Sequence, residues 1–96
     1  MSLYLTALIK SKPDTTAALK ELLQELVAPS RKEAACLQYD LHQSTCDPQL
    51  FIFQEEWESR EGLLLHNSQP YILKFREALE ALVDVPVIIH YTQKLV

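Results

Sequence analysis

Apolar and polar residues alternate along four stretches of the chain, and apolar residues recur at helical spacing between them. Alternation with a period of two is typical of strands, whereas spacings of three and four are typical of amphipathic helices. The predicted strands cover residues 3–10, 36–43, 50–57 and 85–95. Helices are predicted from residue 14 or 15 to about residue 32, over 60–66, and from residue 70 onward. The predicted order is therefore strand, helix, strand, strand, helix pair, strand.

The first predicted helix carries its apolar face on four leucines: Leu19, Leu22, Leu23 and Leu26. Asp14 or Thr15 can cap its start. Pro29 should kink or interrupt its last turn, because proline lacks a backbone N–H and clashes with the preceding turn.

The two later helices begin after residues that favour helix starts. Ser59 can cap the short one and Ser68 the longer one, with Pro70 in its first turn, where the missing N–H costs nothing. The apolar face of the longer helix repeats at three, four and three residues: Ile72, Phe75, Leu79 and Leu82.

The second and third predicted strands form a hairpin, because only a short turn at residues 44–49 separates them. A turn centred in that segment places Tyr39 beside Glu55 and Leu37 beside Trp57. Side chains alternate between the two faces of a strand, so one face of the third strand carries a mostly aromatic set. Its members are Phe51, Phe53, Glu55 and Trp57.

This order predicts an α+β, ferredoxin-like βαββαβ fold over residues 1–96, with a four-stranded antiparallel sheet and helices on one face. Bulky apolar residues occur on both faces of that sheet: Leu3, Leu5, Leu8, Ile9, Leu50, Ile52, Val87, Ile88 and Ile89. A contiguous exposed apolar face is typical of a partner site, and a two-fold related copy is its simplest cover. We therefore expect a homodimer joined through the open sheet face.

Composition excludes several classes of function. Of 96 residues, 9 are basic and 13 acidic, and the net charge of −4 argues against non-specific nucleic-acid binding. The single glycine, Gly62, excludes glycine-rich nucleotide-binding loops. No segment is apolar and long enough to span a bilayer, and the N-terminus does not resemble a signal peptide. Cys36 and Cys46 are predicted to lie too far apart for a disulfide, so we expect a cytoplasmic protein without membrane partners.

The hairpin and the helix after it resemble the antibiotic biosynthesis monooxygenase (ABM) domain, and the resemblance spans nearly the whole chain. It implies a dimeric α+β barrel of a family that includes cofactor-independent quinol or polyketide monooxygenases, isomerases of signal molecules and haem-degrading enzymes. The matching residues are Cys36-Leu37-x-Tyr39, Asp47-Pro48, Phe51-Ile52-Phe53-x-Glu55-x-Trp57-Glu58-Ser59 and Leu63-x-x-His66, followed by Pro70, Tyr71 and Phe75.

The chain departs from that family at several positions. Tyr71 replaces a second histidine that quinol monooxygenase relatives often carry, and Ala35 replaces a frequent glycine. Phe75 occupies the place of the iron-ligating histidine of the haem-degrading branch, and phenylalanine cannot ligate iron. Ala7 and Leu8 replace that branch's asparagine. Tyr71 argues against a two-histidine mechanism, but the haem-degrading branch fits worse, so the resemblance favours the quinol monooxygenase-like branch.

Two titratable residues are the candidate catalytic groups. Glu55 lies on the aromatic face of its strand, where burial would raise its pKa toward neutrality and make it a usable base. Its alternative role is structural, as the partner of a basic or tyrosine side chain. His66 ends the short helix and can accept or donate a proton near neutral pH. Its alternative role is to bond the carbonyls of the last helical turn.

Four aromatic residues are the candidate substrate-binding groups. Trp57 and Phe53 could wall a pocket for an aromatic substrate, and Tyr39 and Tyr71 could donate hydrogen bonds to a developing anion. Each could instead be an ordinary core residue. No metal-ligand spacing is present among the three histidines and two cysteines, and His42 and His90 are predicted at the solvent face or the edge.

The predicted function is oxidation of a phenolic or quinol-like molecule by dioxygen without a cofactor. Two alternatives keep the same fold: an isomerase of a small oxygenated metabolite, and a non-catalytic dimeric binding module. Dioxygen consumption separates the first from the others.

Overall fold

The computed structural model describes residues 2–96, and its elements follow the predicted order. The strands and helices are β1 (Leu3–Lys10), α1 (Thr16–Gln24), α2 (Val27–Arg31), β2 (Cys36–Gln43), β3 (Leu50–Trp57), α3 (Arg60–Asn67), α4 (Pro70–Leu79) and β4 (Ile88–Thr92). The bounds of the first three strands agree with the prediction from the alternating pattern.

The four strands form one antiparallel sheet in the order β2-β3-β1-β4. This is the ferredoxin-like topology that the sequence predicts. The helices cover one face, and every second residue of β1 from Leu5 and of β3 from Phe51 is buried beneath them. The core combines those side chains with the leucines of α1, which include the fully buried Leu19 and Leu23.

The first helical region is divided into α1 and α2 at Glu25 and Leu26. Pro29 lies four residues after Glu25, so it cannot donate to the Glu25 carbonyl, and its ring crowds that carbonyl. The predicted interruption is therefore confirmed, but it falls one turn earlier than the proline itself.

The hairpin register is confirmed at Tyr39, which pairs with Glu55. The predicted pairing of Leu37 with Trp57 is wrong. Cys36 lies opposite Trp57, and Leu37 is the extra residue of a β-bulge, with 54% of its surface exposed. A bulge places two residues of one strand opposite one residue of the other, which strict alternation cannot anticipate.

Only one of the predicted caps forms as expected. The Ser59 hydroxyl accepts a hydrogen bond from the Gly62 N–H and so caps α3. Thr15 occupies the first cap position, but its hydroxyl donates to the Leu82 carbonyl, beyond the far end of α4. Ser68 does not cap α4, because its hydroxyl donates back to the last turn of α3.

The last strand is shorter than the predicted span of residues 85–95. Pairing with β1 extends from Ile88 opposite Leu8 to Thr92 opposite Tyr4. Pro86 has no N–H to continue the ladder at one end, and β1 begins at Leu3 at the other. β4 lies at the edge of the sheet, and all five of its residues are exposed in the single chain.

The single glycine lets α3 approach the loop before β2. A Cβ on Gly62 would lie 2.3 Å from the Ala35 Cβ, far inside van der Waals contact. We expect Gly62→Ala to lower the free energy of unfolding by about 1–3 kcal/mol, because this overpacking outweighs the gain in helix propensity. Urea unfolding would measure the change. Ala35→Gly in the same background should restore most of the loss, and a Gly62→Ala protein as stable as the parent would contradict the close approach.

Candidate active site

A cavity of about 330 Å³ lies between the helix-facing side of the sheet and helices α3 and α4. Most of its wall is apolar, and four of the six residues singled out from the sequence line it: Tyr39, Phe53, Glu55 and His66. Three of them come from the hairpin strands and the fourth from α3. The β2–β3 register and the capped start of α3 therefore bring the candidate groups together.

Glu55 is buried, with 8% of its surface exposed, and lines this cavity. Loss of solvation raises its pKa from 4.5 to about 7, although a hydrogen bond from Trp57 opposes part of the change. The indole Nε1–H of Trp57 donates to Glu55 Oε1 at 2.9 Å. Glu55 Oε2 has no partner among residues 2–96. Since no enclosed side-chain N or O atom of this part of the chain lacks a partner, Oε2 opens onto the cavity.

Trp57 does not line the cavity, in contrast to the predicted aromatic wall. It is fully buried behind the cavity wall. Its ring centroid lies 4.4 Å from that of His66, and the ring also packs edge-on against Tyr39. The last residue of β3 lies beneath α3, which covers the indole. Trp57 therefore contacts Glu55 through a hydrogen bond and His66 through ring packing, without lining the cavity itself.

His66 has a carboxylate partner that the sequence reasoning missed. Its Nδ1 lies 2.6 Å from Oε2 of Glu33, a residue of the loop between α2 and β2. Burial lowers the pKa of His66, and the Glu33 carboxylate opposes that change. The imidazole is therefore neutral at neutral pH. A neutral imidazole carries its single proton on one of its two ring nitrogens, and this tautomer decides whether Nδ1 donates to Glu33.

Tyr71 is also placed differently from the prediction. It lies outside the cavity wall, and its hydroxyl donates to the same Glu33 Oε2 atom while contacting the Ser30 hydroxyl at 3.3 Å. Burial and the Glu33 carboxylate raise the pKa of Tyr71 to about 12. The phenol is therefore a permanent donor to Glu33 and is not positioned to bind a molecule in the cavity.

Tyr39 lines the cavity as predicted, and its ring packs against Phe53 in a tilted arrangement, with the ring centroids 4.9 Å apart. Burial and the nearby Glu55 raise the pKa of Tyr39, so its phenol stays neutral and can donate a hydrogen bond. Arg76 and Asn67 add polar groups to the wall that the sequence reasoning did not single out. The Arg76 charge also disfavours protonation of His66 and so lowers its pKa.

The remaining candidate groups lie elsewhere. His42 and His90 are exposed on the sheet, and both cysteines carry free thiols. Within residues 2–96, no three His, Cys, Asp or Glu side chains are grouped closely enough to hold a metal ion. None of the helices in that range has the length and apolarity required to span a membrane.

Comparison with known proteins identifies a matching family and several relatives. The family described as "Antibiotic biosynthesis monooxygenase" matches residues 2–78, from β1 to α4. "Putative monooxygenase Rv0793" of Mycobacterium tuberculosis is 36% identical over 76 residues, covering 79% of this chain and 74% of that protein. "Putative monooxygenase YcnE" of Bacillus subtilis is 32% identical over 87 residues, covering 86% and 92%.

The fold comparison extends through β4. The crystal structure of PA3566 from Pseudomonas aeruginosa superposes with a TM-score of 0.94 at 41% identity, over 99% of this chain and 95% of that one. The agreement therefore includes the edge strand, which the family match does not reach.

Proposed function

We propose, since this chain belongs to the antibiotic biosynthesis monooxygenase family, that it is a monooxygenase that oxidises a phenolic or quinol-like molecule with dioxygen and without a cofactor. One observation carries the proposal. Two proton-accepting atoms, Glu55 Oε2 and His66 Nε2, are left unpaired by residues 2–96 on side chains that line one largely apolar cavity. Deprotonation inside a dry pocket is the step that such oxygenation requires.

The reaction balances without an external reductant. Removal of the phenolic proton yields an anion that can transfer one electron to dioxygen, and the resulting radicals combine into a peroxide at a ring carbon. Cleavage of the O–O bond and loss of the proton on that carbon leave a carbonyl. One oxygen atom enters the product and the other leaves as water, so a phenol becomes a quinone and a quinol becomes a hydroxyquinone.

Four of the residues that line the cavity have a proposed role in this reaction. Glu55 accepts the phenolic proton and returns it to the peroxide, since a pKa of about 7 allows both directions. His66 Nε2 accepts the proton from the ring carbon and passes it to the departing hydroxide. Tyr39 donates to the substrate oxygen, and Phe53 contacts the ring. A cavity of about 330 Å³ is at the small end of ligand pockets, about 300–1,000 Å³, which favours a substrate of one or two rings.

Turnover of a panel of hydroquinones and naphthols in labelled dioxygen tests this proposal. We expect one labelled oxygen atom per product molecule, consumption of dioxygen equal to product formed, and no turnover under anaerobic conditions. Dialysis against a chelator should leave the rate unchanged, and the purified protein should show no flavin or haem absorbance. Product that carries no label would contradict oxygen insertion.

Isomerisation of a small oxygenated metabolite remains the second candidate function. It is favoured by the same observation that a carboxylic acid of pKa about 7 and a neutral imidazole share one cavity, because proton transfer alone needs both. Substrate conversion that continues without dioxygen would support the isomerase and overturn the monooxygenase.

We further propose that the active form is a homodimer. On the sheet face away from the helices, Ile52, Leu8 and Ile88 lie side by side across three strands, with Leu50 in the next position. Ile88 is 49% exposed in the single chain. A second copy packed sheet to sheet would remove this apolar row from water.

The proposed compartment is the cytoplasm. Cys36 and Cys46 both carry free thiols, which a reducing compartment preserves. Recovery of the protein in the soluble cytosolic fraction, with both thiols titratable, would test this.

A further inference from the structure

We propose that Glu33 is a positioning residue that holds His66 as the Nδ1–H tautomer, so that Nε2 is presented to the cavity as a proton acceptor. The proposal deepens the proposed function and rests on it for the consequence to catalysis. The tautomer itself can be measured without a substrate.

The geometry assigns this role because Glu33 is held from several sides. Its Oε2 accepts from His66 Nδ1 at 2.6 Å and also from the Tyr71 hydroxyl, which in turn contacts Ser30. Only 13% of the Glu33 side chain is exposed, and 6% of the His66 side chain. Ser30 is fully buried. The carboxylate therefore has little freedom to leave the imidazole.

A carboxylate opposite Nδ1 decides which ring nitrogen carries the proton. A neutral imidazole has one N–H donor and one acceptor nitrogen, and a carboxylate can only accept. Donation from Nδ1 to Glu33 thus leaves the lone pair on Nε2. Without Glu33 the proton can move to Nε2, which would then donate and could no longer take a proton from a bound molecule.

Burial together with the surrounding charges sets the protonation state of the imidazole. Burial of the ring and the Arg76 guanidinium on α4 lower the pKa of His66, whereas Glu33 raises it. The other titratable groups near the ring are Tyr39 on β2, Glu55 on β3 and Tyr71 on α4. Both tyrosines remain neutral, since the pKa of each is raised. Burial, which has the largest effect, and the Arg76 guanidinium therefore lower the pKa of His66 despite the opposing effect of Glu33.

Glu33 acts only through His66, because it does not line the cavity. Its contacts join the loop before β2 to α3 and α4. A structural ion pair would need an imidazolium, whereas a positioning role needs a neutral ring. The protonation state of His66 thus distinguishes an ion pair from a neutral ring, and the kinetics of Glu33 variants test the positioning role.

Nitrogen-15 NMR of labelled histidines at pH 8 tests the tautomer in the full chain. The three histidines are assigned with His42→Gln and His66→Gln variants. We expect the parent to show a protonated Nδ1 and an unprotonated Nε2 at His66. A protonated Nε2 or an imidazolium at that pH would overturn the proposal, whether or not any Glu33 variant folds.

A titration of His66 supplies the second measurement. Glu33→Gln should lower the pKa of His66, and Arg76→Gln should raise it, because each removes one of two opposing charges. Lys74→Gln, which removes a charge from an exposed position of the same helix, serves as the control and should leave the pKa unchanged. A Glu33→Gln protein with an unchanged or raised pKa at His66 would contradict the proposal.

Kinetics separate this inference from the proposed function. On a hydroquinone that the parent oxidises, Glu33→Ala should lower kcat by about 10²-fold and leave KM nearly unchanged, as expected for misorientation of a base. Glu33→Asp should recover part of the rate. If the parent shows the Nδ1–H tautomer but oxidises no substrate, the proposed function fails and the positioning role of Glu33 stands.

Discussion

Glu55→Gln is expected to reduce turnover by about 10²- to 10⁴-fold and, at the same time, to make the folded protein more stable above pH 7. Glutamine is nearly isosteric, and its amide oxygen can still accept the hydrogen bond that Trp57 donates. It cannot accept a proton near neutral pH. The loss of activity would therefore report the loss of the base rather than a change of shape.

The gain in stability follows from the raised pKa of Glu55. The group has a pKa of 4.5 when solvated and about 7 in the folded chain, so the folded state binds the proton more tightly. Below pH 4.5 both states are protonated and ionisation costs nothing. Between pH 4.5 and about 7 the unfolded chain ionises while the buried side chain stays protonated, and the folded state loses about 3 kcal/mol of stability, because each pKa unit is worth about 1.4 kcal/mol. Above pH 7 both states are ionised and the loss stays constant. Glutamine avoids this loss.

Urea unfolding of the parent and the variant at pH 4.5 and pH 8, at one protein concentration, measures the effect. The difference in unfolding free energy should be near zero at the lower pH and about 3 kcal/mol in favour of the variant at the higher pH. Glu58→Gln, at an exposed position after β3, is the matched control. It should change neither the activity nor the pH dependence of the unfolding free energy. If the parent and the variant differed in unfolding free energy by the same amount at both pH values, this would contradict a pKa of Glu55 that is raised by folding.

Leu8→Asp is expected to dissociate the proposed dimer. Leu8 lies at the centre of the apolar row, between Ile52 of β3 and Ile88 of β4. Two-fold symmetry would place two unpaired carboxylates in one interface. Burial of unpaired charge at a cost of about 4 kcal/mol per dimer corresponds to about a 10³-fold rise in Kd.

Sedimentation velocity over a range of protein concentrations measures the dimer population. The parent should remain a dimer at micromolar concentration, and the variant should sediment as a protomer. Leu73→Asp is the matched control, since Leu73 is 49% exposed on α4, away from the sheet face. A parent that is already monomeric, or a Leu8→Asp variant that remains dimeric, would contradict pairing through this face.

The close approach at Gly62 links the fold to the site. Without a Cβ at that position, α3 lies against the loop that carries Ala35 and Glu33. His66, one turn further along α3, can then reach the Glu33 carboxylate. The absence of a side chain at Gly62 therefore allows the proposed base, His66, to contact Glu33.

Strand pattern predicted one half of the site. The period of two along β3 places Glu55 on the same face as Phe53, and a short turn places Tyr39 opposite Glu55; both are confirmed. Local sequence could not predict the bulge at Leu37, because an extra residue leaves no mark on the alternating pattern. Local sequence also could not predict that the Ser68 hydroxyl bonds the end of α3 rather than the start of α4, because Ser68 lies between the two helices.

By itself, the sequence determined the order of the elements, the faces of the strands and the presence of a carboxylate among aromatic residues, because these depend on neighbours within a few positions. Only the tertiary structure decided that Trp57 lies behind the cavity and that Tyr71 turns to Glu33. Glu33 and His66 are 33 positions apart, and no periodicity relates them. Their contact arises because packing of α3 against the loop before β2 brings two distant segments into the same buried volume, where an imidazole needs a partner.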